Sequence, residues 1–180
     1  KVKAGLCERE LVLACLACDR CHVWEDDPDL RAKMNESAWA HIEAGEYLGA
    51  KVIRIDAGGA RENMEWTNEQ FDYIAEMFRK YAQRAYDNGY KIGPENHWGP
   101  EDVPENMVKL CQAVDSPAFG VLLHIGRWRG ENATKGDEMV APCVMHAHVT
   151  PSTPEEELPA KLAMLRDAGF KGYYSAELVS

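Results

Sequence analysis

Asn88-Gly89-Tyr90-Lys91-Ile92-Gly93-Pro94 is a junction between a helix-like segment and a strand-like segment, and its pattern recurs along the chain. The same order of glycine, a non-polar residue, lysine and an apolar run begins at Gly49 and at Gly169. Gly89 lies 40 residues after Gly49 and 80 residues before Gly169, a spacing that indicates repeated helix–strand units. Each of these glycines suits the left-handed position just after a helix C-terminus.

Apolar periodicity predicts the elements between these junctions. Thr67 and Gln70 have the spacing of a capping box, and an apolar stripe at helical spacing follows them. Further helices are predicted over 35–48, 102–114 and 154–168, with Thr153 as the N-cap of the last one. Short apolar runs predict six strands, over 11–16, 52–55, 90–94, 119–125, 143–149 and 172–178. The alternation predicts an α/β fold, in which helices cover a parallel sheet.

Composition limits the classes of protein to which the chain can belong. It has 180 residues, 46% of them apolar, which predicts one globular domain over residues 1–180. The net charge of −10 argues against a nucleic-acid partner, because binding phosphate requires a basic face. No apolar run approaches the roughly 20 residues that span a bilayer, so no membrane contact is expected. No secretory leader is visible, and we expect a cytoplasmic protein.

Three cysteines and a histidine form a motif that invites a different interpretation. Cys18-x-x-Cys21-His22 has the form of a haem attachment site, and with Cys15 the run has that of an iron–sulfur motif. Haem attachment would require export, and a cluster motif would continue to a fourth cysteine followed by proline. The run begins inside an apolar segment, where small buried cysteines are the ordinary explanation. We therefore expect neither haem nor cluster there.

Chemistry-bearing side chains follow four successive predicted strands at their carboxyl ends. They are Glu95 after the third strand, His124 at the end of the fourth, the pair His146 and His148 in the fifth, and Glu177 at the end of the sixth. Parallel α/β folds place their chemistry at this edge of the sheet. Alone, each of these residues is more often a hydrogen-bonded or surface group than a ligand. In series, they predict a site for a divalent metal held by carboxylates and imidazoles.

Three segments carry a resemblance to a known family. They are Glu95-Asn96-His97-Trp98-Gly99, the strand Ala141-Pro142-Cys143-Val144-Met145-His146-Ala147-His148, and Gly169-Phe170-Lys171-Gly172-Tyr173-Tyr174-Ser175-Ala176-Glu177. In this order they resemble the sugar phosphate isomerase/epimerase family of xylose-isomerase-like TIM barrels. The resemblance implies an incomplete (β/α)8 barrel of about six βα units, corresponding to strands three to eight. Such barrels take roughly 250 residues, so the chain resembles a fragment.

The resemblance also implies a ligand set, with one departure. Family members hold their metal with Glu, Asp, His and Glu on strands five to eight. Glu95 and Glu177 match the two glutamates, and His148 matches the histidine best, with His146 as the alternative ligand on that strand. His124 thus stands where the family has Asp, and Arg127 stands where the family commonly has His or Asn. This change favours an ion that prefers nitrogen ligands, or it marks a lost metal. Mn, Co, Zn, Fe and Mg all remain open as the divalent metal.

The implied reaction is isomerisation or epimerisation of a small sugar or sugar derivative. Glu95 and Glu177 would remove and return a proton next to a carbonyl, through an enediolate. The implied substrate-binding residues are Arg54, His97, Trp98, Arg127 and His146. Trp98 and Trp128 either form an apolar wall for the sugar or simply pack. The alternatives are a related sugar lyase, dehydratase or C-glycoside-cleaving subunit, and a non-catalytic barrel remnant that binds a partner. A homo-oligomer remains open.

Overall fold

The structure, a computed structural model, describes residues 1–151 and 153–177. The helices of this part of the chain are α1 Val2–Glu8, α2 Pro28–Leu48, α3 Asn68–Asn88, α4 Pro104–Val114, α5 Gly136–Val140 and α6 Leu158–Asp167. Its strands are β1 Cys15–Ala17, β2 Val52–Arg54, β3 Lys91–Gly93, β4 Val121–His124, β5 Val144–Val149 and β6 Tyr174–Ala176. Short 3₁₀ turns lie at Gly99–Asp102, Ala133–Lys135 and Ala141–Cys143.

The strands are parallel and lie side by side in sequence order. β1, β2 and β3 form one ladder, and β4, β5 and β6 form another. Parallel bridges join the two ladders, from Ile92 to Phe119 and from Glu95 to Leu122. The Leu122 amide also donates to the Pro94 carbonyl at 2.9 Å. The predicted α/β architecture is confirmed, and the six strands form an incomplete β/α barrel.

Left-handed glycines end the helices that precede strands β2 and β3. Gly49 has φ 80° and Gly89 has φ 75°, and each donates its amide to carbonyls in the last turn of its helix. Gly169, after α6, has φ 92°. Thr67 and Gln70 form the predicted capping box at the start of α3. The recurring junction in the sequence is therefore a helix stop followed by a strand, as predicted.

Three helix starts differ from the prediction, and α4 begins two residues late, at Pro104. α2 begins at Pro28, seven residues before the predicted start, because the Asp27 side chain caps it by accepting from the Asp29 and Leu30 amides. α6 begins at Leu158, so the prediction that Thr153 caps a helix from residue 154 is wrong. Pro159 has no amide to donate to a preceding turn, which confines the regular helix to the residues that follow Glu157.

Strand ends also differ from the predicted ranges. The first strand is Cys15–Ala17 rather than 11–16, and Leu11 and Val12 before it are exposed. Cys143 belongs to a 3₁₀ turn rather than to β5. Residue 178 of the last predicted strand lies outside the described residues.

The core consists of a helix-facing layer and a small layer inside the sheet. Val52, Leu122 and Met145 pack together inside the curved sheet, with Cys15 against them. The backbones approach closely at one point: a Cβ on Gly93 would lie 1.8 Å from the Gly120 carbonyl oxygen. None of the helices in the described part of the chain is both long and apolar enough to span a membrane.

Candidate metal centre

Four titratable side chains meet at the carboxyl-terminal edge of the sheet. They belong to Glu95, just after β3, to His124 and His148, in β4 and β5, and to Glu177, directly after β6. Each offers one ligand atom, and these atoms all lie within 4.8 Å of one another. Parallel pairing brings the residues together, since His124 is the register partner of His148 and the Glu177 amide donates to the Val149 carbonyl.

The distances among the donor atoms have the size that a single metal ion requires. Glu95 Oε1 lies 3.2 Å from His148 Nδ1 and 3.5 Å from His124 Nδ1. Glu177 Oε2 lies 3.5 Å from His124 Nδ1 and 3.8 Å from His148 Nδ1. Each of these four pairs of atoms can lie about 2.1 Å from a shared ion, with an angle of about 100–130° at the ion. These four separations are therefore compatible with tetrahedral coordination.

Two of the four donor atoms also lack other partners. His124 Nδ1 and Glu177 Oε2 are buried and form no hydrogen bond with any described residue. An unsatisfied buried polar atom is costly, and a cation between the two would remove that cost. The residues present thus fit a divalent metal, and two imidazoles with two carboxylates suit a transition metal.

Asn96 locks the loop that carries His124. Its amide nitrogen donates to the carbonyls of His124 and Arg127, at 3.0 and 2.8 Å, and its side-chain oxygen accepts from the His124 amide at 2.6 Å. Asn96 is fully buried. These bonds tie the ends of β3 and β4 to each other, so the ligands on the two strands keep a fixed separation.

Arg54 holds the other oxygen of Glu95. Its Nε lies 3.5 Å from Glu95 Oε2, while its terminal nitrogens contact Asp56 at 2.6 Å and Asp19 at 3.1 Å. Glu95 is only 3% exposed, and burial disfavours its charged form. The two nearby imidazoles and the Arg54 guanidinium outweigh that effect and hold the pKa of the Glu95 carboxyl well below its usual range. Glu95 is therefore a preformed carboxylate.

The structure distributes the predicted substrate-binding residues unevenly. His97 is partly exposed, with Nδ1 3.9 Å from Glu95 Oε2, and Trp98 contacts His22 edge to face. Arg54 is buried among carboxylates. His146 is 0% exposed, its Nε2 bonds to the Ser175 hydroxyl at 2.8 Å, and burial lowers its pKa to about 4. Arg54 and His146 are thus buried, whereas His97 and Trp98 are partly exposed.

Further residues around the site were not singled out from the sequence. Glu101 is fully buried and accepts a hydrogen bond from the Ala57 amide, and burial raises its pKa well above the usual range. Asp137 accepts from the Gly126 amide and from the Trp128 indole. Trp128 thus packs with its polar end satisfied. Asn96 directly follows Glu95 in the sequence, and this position could have marked it as part of the site. Its hydrogen-bond partners lie 28 and 31 residues further along the chain, so the sequence does not reveal which groups it binds.

A cavity of about 510 Å³ opens beside the metal ligands. His124 and Glu177 form one wall, and the loops after β4 and β5 form the others. Arg127 lies in the first loop, and Lys161 approaches from α6. The volume lies within the range of small-molecule sites.

The structure combines a partial barrel of parallel strands with a four-residue cluster that is suited to a metal. The cluster lies at the carboxyl-terminal edge of the strands, and the chain is therefore a β/α-barrel protein with a candidate metal centre. The sequence identifies the family: the family model described as "Xylose isomerase-like TIM barrel" matches residues 1–180. The chain belongs to this family. No curated protein matches the chain significantly in sequence.

Solved structures share the fold at low sequence identity. A xylose isomerase-like TIM barrel protein from Mycobacterium smegmatis, in complex with magnesium, has a TM-score of 0.77 and 15% identity, over 97% of this chain and 69% of that one. 3-Keto-D-glucoside 4-epimerase from E. coli has a TM-score of 0.78 and 14% identity, over 97% and 74%. A D-tagatose 3-epimerase-like protein has a TM-score of 0.77 and 18% identity, over 98% and 74%. At these identities the likeness shows the fold alone.

Proposed function

We propose that the chain is a metal-dependent isomerase or epimerase of a small sugar or sugar derivative. The observation that carries the proposal is the cluster of Glu95, His124, His148 and Glu177, with two buried donor atoms that lack other partners. The family and its epimerase neighbours support a sugar as the substrate. The four side chains would hold a divalent cation, which when bound supplies positive charge that stabilises an enediolate oxygen.

The two glutamates have different surroundings, and this suggests different roles. Glu95 is buried and held by Arg54, so its geometry is fixed before substrate arrives. The Glu177 side chain is 44% exposed and lines the cavity. We assign to Glu177 the removal of the proton from the carbon next to the carbonyl. Glu177 would then release this proton to solvent, and Glu95 would pass a solvent proton to the opposite side of the enediolate, so that both glutamates end the reaction as carboxylates.

Solvent exchange tests this proposal without knowledge of the product. The metal-loaded protein is incubated in D2O with a panel of aldoses and ketoses, and deuterium at the carbon next to the carbonyl is measured by NMR. Glu177→Gln should slow exchange by about 10²–10⁴-fold, the usual contribution of a general base, because it keeps shape but loses the basic carboxylate. Glu156→Gln, an exposed change in the loop before α6, should leave exchange unchanged.

Three results would contradict the proposal in whole or in part. Exchange that survives in Glu177→Gln at the wild-type rate would remove Glu177 as the base. A protein that binds metal but exchanges no proton on any sugar of the panel would favour the non-catalytic alternative. A product that has lost water would assign the same base to a dehydratase.

A further inference from the structure

Another cavity, of about 680 Å³, lies at the amino-terminal edge of the sheet, at the other end of the strands from the metal ligands. Lys51 precedes β2, Lys91 begins β3 and Lys171 lies just before β6, and all three line this cavity. They are the lysines of the recurring junction of glycine, a non-polar residue and lysine, to which the proposed function gives no role. Because parallel strands begin at one edge of a sheet, the repeat brings these lysines to one cavity.

The cavity carries positive charge without acidic groups to balance it. Of the described residues that line it, none is Asp or Glu. The three lysines are exposed, and none forms an ion pair with a described residue. Glu46, which accepts a hydrogen bond from the Tyr90 hydroxyl beside the cavity, is already paired with Arg84. A chain with a net charge of −10 thus places three of its 20 Lys and Arg residues where no lining acid opposes them.

The ends of the neighbouring helices do not account for these lysines. Lysines near a helix C-terminus often bond to its last carbonyls. At the end of α3, however, the Gly89 amide donates to the Ala85 and Tyr86 carbonyls. After α6, the Gly169 amide donates to the Arg166 carbonyl at 2.9 Å. Each lysine ammonium group therefore keeps its three N–H donors free of any described acceptor.

Aromatic side chains form another part of the lining. Tyr86 and Tyr173 line the cavity and are 63% and 45% exposed, and Tyr90 and Phe170 line it as well. Large exposed side chains beside a cavity are typical of ligand sites, and the volume lies within the range of small-molecule sites. The lining therefore suits a ligand that has both a flat ring and negative charge.

We propose that this cavity binds an organic anion that joins an aromatic ring to phosphate groups, which is the chemistry of a nucleotide. The three lysines bind the phosphate oxygens through charge-assisted hydrogen bonds. The ring stacks on Tyr86 and Tyr173, which every base can do because each has a flat π-face. The inference does not depend on the proposed function, because this cavity and the metal ligands lie at opposite ends of the strands.

Calorimetric titration of the full chain with ATP, adenosine and tripolyphosphate separates the two contributions. The protein is first treated with a chelator, so that no divalent cation bridges the phosphates to the metal ligands. ATP should bind about tenfold or more tightly than adenosine, the scale expected of charge-assisted hydrogen bonds. ATP should also bind about fivefold or more tightly than tripolyphosphate, the scale expected of one stacked base.

A pair of lysine changes assigns the phosphate contribution to the cavity. Lys51→Gln combined with Lys171→Gln should weaken ATP binding about tenfold or more and leave the affinity for adenosine within about twofold. Lys33→Gln makes the same change of charge at an exposed residue of α2 that does not line the cavity. This control should leave both affinities unchanged.

A pair of tyrosine changes assigns the ring contribution. Tyr86→Ala combined with Tyr173→Ala should weaken ATP binding about fivefold or more and leave the affinity for tripolyphosphate unchanged. Tyr47→Ala is the matched control, because Tyr47 is 65% exposed and does not line the cavity. It should leave the affinity for ATP unchanged, and circular dichroism checks that each variant is folded.

The inference is overturned if ATP binds no more tightly than adenosine, or if either double variant binds ATP as tightly as the wild type. It is also overturned if His124→Ala abolishes ATP binding, because ATP would then occupy the metal centre. A chain that binds ATP in this way but exchanges no proton on any sugar would refute the proposed function and leave this inference standing. A chain that exchanges protons but does not bind ATP would do the reverse.

Discussion

Removal of the His124 imidazole is the perturbation that examines the candidate metal centre most directly. His124 Nδ1 lies 3.5 Å from both Glu95 Oε1 and Glu177 Oε2, so it joins the two carboxylates of the cluster. His124→Ala leaves three donors and removes the imidazole nitrogen that lies between the two carboxyl groups. Changes to residues that merely support a metal ligand weaken binding about 10–100-fold. Loss of the ligand itself should weaken it by at least about 100-fold, or about 2.7 kcal/mol.

The fold should tolerate this change. The loop position depends on the His124 backbone, which bonds to Asn96, and those bonds do not involve the imidazole. His124→Asp should restore binding and shift preference from Zn²⁺ and Co²⁺ towards Mn²⁺ and Mg²⁺, because a carboxylate is a harder ligand. His41→Ala, on α2, removes an imidazole that bonds to the Ser37 carbonyl and should leave metal affinity unchanged.

The assay is competitive titration of the chelator-treated protein with each ion, with metal content measured by mass spectrometry and folding by circular dichroism. The reasoning fails if His124→Ala binds Zn²⁺ as tightly as the wild type. It also fails if His124→Asp retains the wild-type order of metals, since the imidazole would then have no part in selectivity.

Three further outcomes follow from the geometry. Asn96→Ala should lower the free energy of unfolding by about 2–4 kcal/mol in urea titration, because three hydrogen bonds of a buried side chain are lost. The control Asn88→Ala, at an exposed helix end, should change the free energy of unfolding by less than about 0.5 kcal/mol. Equal effects of the two changes would contradict the role of the Asn96 amide. Gly93→Ala should not give the native circular dichroism spectrum, because the added Cβ would lie 1.8 Å from the Gly120 carbonyl oxygen. A variant with a native spectrum would show that β3 and β4 separate easily. A hydrogen bond from Cys111 lowers the pKa of the Cys143 thiol to about 7, so iodoacetamide should label Cys143 half-maximally near that pH. Cys111→Ala removes the hydrogen-bond donor and should move the midpoint upward, and an unmoved midpoint would exclude the thiol pair as the cause.

Local sequence signals predicted much of the fold. The junction at Gly89 and the capping box at Thr67 act within a few residues, so one sequence suffices to place them. Asp27 and Pro28 carried an equally local signal for the start of α2. The prediction at Thr153 failed because a threonine before acidic residues resembles a cap, while Pro159 restricts where the helix begins.

The candidate site was predictable in its members but not in its supporting contacts. Strand order brings together Glu95 and His124, since consecutive parallel strands end at one edge. The partners of Asn96 and Arg54 depend on the separation and tilt of neighbouring strands, which periodicity does not reveal. For the same reason, the sequence did not reveal that Arg54 lies among Asp19, Asp56 and Glu95. Contact of Arg54 with the substrate stays a prediction.

The placement of Glu177 after β6 has a consequence for the dynamics of the centre. β6 has only three residues and pairs with β5 alone among the described strands, and Tyr174 within it is exposed. The Glu177 side chain is 44% exposed, whereas those of Glu95, His124 and His148 are 4%, 9% and 15% exposed. An exposed carboxylate reorients at a lower cost in free energy than side chains packed in the core. The centre therefore combines three fixed donors with one that can move, and an incoming ligand could displace Glu177 without rearranging the other three.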